Sequence, residues 1–301
     1  MRHHSLLATT LALAALASAP ALACNPVGSL PAVLDAPGRY CLAASLASGQ
    51  TTGAAITLAS DDVELDCGGH TLDGSAAGPG TLAVGILGGQ HDNLRVRECT
   101  VNGFATGIAL GDDAAAGDAP QGVRVEQNRV VGSLHTGILV NAGSGLVRGN
   151  FLLDGGLGPD ARPLFAVQAS GNVDLIDNVV DGLSHADDQQ GPVTGIALSH
   201  SQGGVIAGNR VRNLFSRLER TGIAVRGAGV IIVRRNLVSH HFPTEGSLDL
   251  GLDCQGGLGL VADNHALQVG QAQRECQDLG GNTWALAKSA PRVNTKPGVA
   301  R

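Results

Sequence analysis

Aromatic residues are scarce in this sequence: one Trp, one Tyr and five Phe among 301 residues. An aromatic core is excluded, and so is a row of ring platforms on which sugars or bases could stack. Lysine occurs only at Lys288 and Lys296, so nearly all positive charge is Arg, and it is interspersed with acids. No basic stripe for nucleic acid results, and the formal charge of -6 is mild. The single Met is Met1 and the His residues are scattered, which leaves no cluster of soft ligands for copper. Glycine is abundant (44 residues), yet it follows no triplet period, which excludes collagen. A Leu-rich consensus and a six-residue beat are also missing, which excludes leucine-rich repeats and the left-handed hexapeptide helix.

What the chain does contain is a repeat. Residues 221–236 read T-G-I-A-V-R-G-A-G-V-I-I-V-R-R-N, and 194–209 and 136–150 are recognisable copies. Indexed on its closing residue, the unit runs through His70, Cys99, Asn128, Asn150, Asn178, Asn209, Asn236 and Asn264. Three residues before this position comes one aliphatic column (Val96, Val125, Val147, Leu175, Ile206, Val233, Val261), with Cys67 at its start. Two residues after it comes a second (Leu72, Val101, Val130, Leu152, Val180, Val211, Val238, Ala266). A third precedes it by about a dozen residues or more (Ile86, Ile108, Ile138, Val167, Ile196, Ile223, Leu252). Three such columns per unit predict three short strands per turn, alternating inward and outward side chains. The expected architecture is all-β: a coil of about eight rungs over 54–285, each strand pairing in parallel with its copies about 4.8 Å above and below.

The closing Asn suits a turn through its tolerance of left-handed backbone angles and its capacity to bond along a ladder of identical residues. His70 and Cys99 would leave that ladder incomplete at its start. The Gly before each inward aliphatic residue (Gly107, Gly137, Gly195, Gly222, Gly251) is expected to keep the outer face low.

The ends differ in composition. Residues 1–23 have the plan of a secretory signal, with Arg2, His3 and His4, an apolar stretch and Ala21-Leu22-Ala23. The expected location is therefore periplasmic or extracellular, with no transmembrane segment in the mature chain. Cys24 follows directly and raises a lipid anchor as an alternative to simple cleavage, although the preceding residues match that signal poorly. Residues 24–53, rich in Pro and Gly, are expected to form an irregular cap, and 286–301 a C-terminal tail. Six cysteines in an exported chain predict bridges, and pairing by neighbourhood gives Cys24 with Cys41, Cys67 with Cys99 and Cys254 with Cys276.

Three stretches carry a resemblance: P-G-R-Y-C-L at 37–42, D-V-E-L-D-C-G-G-H-T at 62–71, and Asn-centred turns such as G-N-R-V at 208–211. Through them the chain resembles the right-handed, single-stranded parallel β-helix of the pectate-lyase-like superfamily, and more narrowly the secreted bacterial β-helix repeat proteins. That resemblance implies a fold that hosts lyases, hydrolases, epimerases, adhesins and binding proteins, so function must be argued from the site. Its pectate lyases use a carboxylate cluster for calcium and an Arg base. Its polygalacturonases use three clustered Asp near a Gly-His-Gly. Here Gly69-His70-Thr71 falls in the turn column, and no acid cluster lies on the sheet face.

Loops are expected to project at 154–163, 182–193, 212–220 and 240–249 and to wall a groove beside the T-G-I strands. Their candidate catalytic residues are His185, Asp187, Asp188, Arg220 and His240, which could supply a base near neutral pH, paired carboxylates and a grip on a substrate carboxylate. On the outward face of the T-G-I sheet, one column reads Ala109, Leu139, Gln168, Ala197, Ala224, Asp253, and the next Gly111, Asn141, Ser170, Ser199, Arg226, Gln255. Asn141, Gln168, Arg226 and Asp253 are the candidate binding residues, with Arg226 and Asp253 expected to form a surface ion pair. No resident cofactor is evident; G-G-L-G-P-D at 155–160 matches one unit of a calcium repeat, so calcium is the ion to test. The reading is an exported monomer with a non-catalytic binding or structural role, facing a polysaccharide or another cell-envelope component. Its alternative is a lyase or hydrolase acting on an acidic glycan.

Overall fold

The computed structural model describes residues 24–111, 119–156, 158–185, 191–241 and 247–287; residues 1–23 and most of 286–301 lie outside it. Each turn of the coil has three strands, and every strand pair is parallel. The T-G-I strands, among them Thr106–Leu110, Val193–Ser199, Glu219–Val225 and Leu248–Asp253, form what we call the front sheet. Strands leading to the Asn position, such as Val123–Glu126, Gly203–Ala207 and Gly227–Arg234, form the side sheet. Those after it form a ten-stranded back sheet ending at Thr283–Leu286. Front and side sheets are continuous because Thr136–Arg148 and Leu164–Ile176 bend through the corner and serve both.

The register matches the sequence columns except at the start of the first, where Leu65 and not Cys67 pairs with Val96. Ile108 pairs with Ile138, then Val167, Ile196, Ile223 and Leu252, and all six side chains are buried. β-branched and aliphatic residues suit these positions because each packs flat against its copy one rung away. The T-G-I glycine has a different task from the one expected. A Cβ at Gly222 would lie 2.4 Å from Val238 Cγ1 and 2.6 Å from the Gly251 carbonyl oxygen. At Gly107, Gly137 and Gly195 the obstacles are likewise a back-sheet Val or Leu and the next rung's carbonyl. Glycine is required by the interior, where front and back sheets close on each other, and not to lower the outer face.

The Asn ladder forms, for a reason only half anticipated. The left-handed residue is the one before each Asn, such as Gln127, Asp177, Arg235 and Asp263. Asn itself is the hydrogen-bonding element. Asn178 Nδ2 donates to the Val147 carbonyl of one neighbouring rung and to Asn209 Oδ1 of the other, while its Oδ1 accepts from the main chain and Nδ2 of Asn150. From Asn128 to Asn264 these side chains are at most 1% exposed. Asn282 extends the ladder by a turn only 18 residues long, too short to register in the sequence spacing.

Residues 24–53 are not irregular. Asn25–Val27, Ala32–Leu34, Gly38–Leu42 and Leu46–Ala47 pair in parallel with the coil and continue it. The bridges are Cys24–Cys41, Cys67–Cys99 and Cys254–Cys276, so the Cys24 sulfur is held in a disulfide. Cys67–Cys99 ties the turn residue Cys99 to the preceding rung, with Cys67 two residues beyond Leu65, the residue that pairs with Val96. On the side sheet's outer face, Arg39, Arg95, Arg97 and Arg148 interlock with Glu64, Asp66 and Glu126 across successive rungs. Burial would raise the Asp66 carboxyl, but Arg39, the Gly68 N–H and Arg97 together hold it below the usual carboxylate range.

Candidate functional site

The front sheet's outward columns pair as Leu139–Gln168–Ala197 and Asn141–Ser170–Ser199, one rung apart at each step. These residues line a groove of about 790 Å³ running over several rungs, with Asn172, His200 and Gln202 along the corner with the side sheet. Gly171 turns that corner at φ +88°, where a Cβ would lie 2.0 Å from the Ala142 carbonyl oxygen. Two of the predicted binding residues, Asn141 and Gln168, therefore share one groove.

Gln168 also lines a recess of about 480 Å³ beside the groove, with His135, Thr136, Arg162 and Phe165. The backbone of His135 is fixed between rungs, its N–H donating to the Ala105 carbonyl and its carbonyl accepting from the Phe165 N–H. Asp160 Oδ2 lies 3.0 Å from Arg162 Nε and 3.6 Å from His135 Nε2. Burial pushes the His135 imidazole down, with Asp160 opposing and Arg162 reinforcing the shift. His135, Asp160 and Arg162 escaped the sequence reading because two different loops bring them together. The half-buried ring of Phe165 forms part of the recess wall.

The described members of the predicted catalytic set face different ways. His185 is 4% exposed, packed against the Gly191 backbone, and neither ring nitrogen reaches hydrogen-bond geometry. Burial lowers its pKa despite the nearby Pro192 carbonyl and Asp160, and His135 adds to the lowering. Arg220 is fully buried in the inward column Leu164–Val193–Arg220–Asp249. It donates to the Ser216 carbonyl and, at 2.7 Å, to Ser247 Oγ, with its Nε 3.8 Å from Asp249. His240 is exposed on the rim, and its neighbour His241 turns inward to Asp249, Nδ1 to Oδ1 2.6 Å. Asp187 and Asp188 lie outside the described residues. Loop 212–220 is mostly strand, leaving only a short turn around Arg217.

Arg226 and Asp253 do pair, but not as a simple surface contact. Asp253 is 0% exposed and is clasped from the other side by Arg274, whose Nε and Nη2 reach its two oxygens at 2.9 and 2.7 Å. Burial would raise this carboxyl, but the Arg274, Gln255 N–H and Arg226 bonds hold it below its usual value. The Arg226 guanidinium also donates to the Val225 and Asp253 carbonyls, so its donors are directed into the protein. As for calcium, Asp160 faces Arg162 and His135, and no group of three or more His, Cys, Asp or Glu suited to a metal gathers among the described residues.

No curated protein matches the sequence. Among solved structures, the chain is similar to an alginate lyase from Paenibacillus sp. str. FPU-7, at 11% identity and a TM-score of 0.35, over 84% of this chain and 93% of that one. It is also similar to the catalytic domain of a GH87 alpha-1,3-glucanase in complex with tetrasaccharides, at 13% identity and a TM-score of 0.31, over 88% and 63%. At these values neither likeness bears on what the chain does. A family model described as "Right handed beta helix region" matches residues 84–270, well over half of the sequence. The chain belongs to the right-handed β-helix family.

Proposed function

We propose that this protein is exported and binds a polysaccharide along the front-sheet groove without cleaving it. The observation that carries the reading is a set of hydrogen-bonding groups on two adjacent rungs, Asn141 on one and Gln168 and Ser170 on the next, that the described residues leave unused. Among the described residues, neither the amides of Asn141 and Gln168 nor the Ser170 hydroxyl has a hydrogen-bond partner, and all three line the groove. Parallel rungs repeat about every 4.8 Å, close to the rise of one sugar unit in an extended chain. A rigid coil thus presents the same kind of contact to successive units of a polymer. Phe165 adds an apolar face beside Gln168 for sugar C–H groups.

Binding without turnover is supported by the placement of the titratable groups. Among the described residues, His185 and Arg220 are enclosed, His240 does not line the groove, and the pair beside it, His135 with Asp160, has its carboxylate already bonded to Arg162. Three disulfides support folding in an oxidising compartment, and no helix among the described residues is long and apolar enough to cross a membrane. Affinity electrophoresis against a panel of cell-envelope and plant polysaccharides tests the reading. Parallel assays should follow unsaturated ends by ultraviolet absorbance and reducing ends chemically. Retention is expected with neither product, and Gln168→Ala should weaken it by about 3- to 10-fold, the worth of one or two amide hydrogen bonds. Turnover abolished by His135→Ala or His185→Ala would instead establish an enzyme.

A further inference from the structure

We propose that the polymer taken by this groove is an uncharged glycan, recognised through amide and hydroxyl contacts and not through its carboxylates or sulfates. The proposal rests on the groove reading above and narrows it. An anionic polymer with one charge per unit needs cations free to meet it at a similar interval. Among the described residues the groove lining holds no Lys or Arg: the polar members are Asn141, Gln168, Ser170, Asn172, Ser199, His200 and Gln202. These groups donate and accept in equal measure, as sugar hydroxyls do.

Two arginines beside or along this face are paired with carboxylates. Arg162, in the adjoining recess, has its Nε 3.0 Å from the Asp160 carboxylate, so that pair carries no net charge. His135 beside them is held towards its neutral form by burial, which keeps the recess near neutrality at physiological pH. Arg226, further along the same face, is closed onto the buried Asp253 and two carbonyls. Arg274 on the next rung is spent on the same carboxylate, with Glu219 and Glu275 nearby. A chain of formal charge -6 also repels a polyanion as a whole.

The test is a binding comparison using the full chain with dextran, laminarin and galactomannan as neutral probes, and polygalacturonate, alginate and hyaluronan as anionic ones. At least one neutral polymer should be retained, with an affinity that changes less than about twofold between low and high salt. Replacing Asn141 and Gln168 together by Ala should lower that affinity by about tenfold or more, while Arg226→Gln should leave it within about twofold. Preferential binding of an anionic polymer, falling steeply with salt, would overturn the inference and leave the groove reading standing. Retention of none of the six would remove the groove reading itself, and this inference with it.

Discussion

Asn178 shows at the scale of one residue why the coil tolerates so few substitutions in its ladder. Its side chain is 0% exposed and makes hydrogen bonds to both neighbouring rungs. Asn178→Ala would leave the Asn150 main-chain N–H without an acceptor and open a gap between stacked amides. We expect a loss of about 2–4 kcal/mol, read as a shift in denaturant midpoint; a change below about 0.5 kcal/mol would remove the ladder from the account. The histidines behave differently. His135 and His185 are both held below their ordinary value of 6.5, chiefly by burial. Groups depressed in the folded state stabilise it above the unfolded value and cease to do so as pH falls through the folded one. Stability should therefore drop on acidification below about pH 6.5, and His185→Gln should flatten that part of the profile in thermal melts. An unchanged profile would mean that His185 is not buried in the neutral form.

At the scale of the strand, much was legible because a coil repeats its constraints. The aliphatic columns and the outward columns could be written down from spacing alone, and the register follows them. The reason for the T-G-I glycine could not, since it lies in contacts with residues such as Val211 and Val238 that follow it by 16 positions in the chain. Gly222→Ala should be severely destabilising, because a Cβ 2.4 Å from Val238 and 2.6 Å from a carbonyl oxygen must displace a packed rung. Gly80→Ala, where a Cβ meets nothing within 4 Å, is the matched control and should be near neutral. Equal soluble yield and melting temperature for the two variants would contradict the packing argument. The ends were less legible for the same reason: Pro-rich sequence at 24–53 hides strands recruited by pairing with the rung above, and the turn closed by Asn282 breaks the spacing.

At the scale of the molecule, scaffold and surface separate cleanly. Interior columns, Asn ladder and disulfides hold a rod, and its front face carries Asn141, Gln168 and Ser170, which form no hydrogen bonds among the described residues. Asn141 and Gln168 could be placed on that face from the sequence because they sit in columns. The gathering of His135, Asp160 and Arg162 could not, because loops of unequal length set it and no periodicity constrains them. The expected convergence of His185, Arg220 and His240 failed for a related reason: loop position does not say which side chains turn inward, and two of the three do. The claim that matters most is that the groove is the binding surface. A crystal structure of the chain with a bound oligosaccharide tests it directly. The account predicts sugar units lying along the coil axis, with hydroxyls bonded to Gln168, Asn141 and Ser170 on adjacent rungs. An oligosaccharide seated instead on the side or back sheet, or across the axis away from these residues, would contradict it.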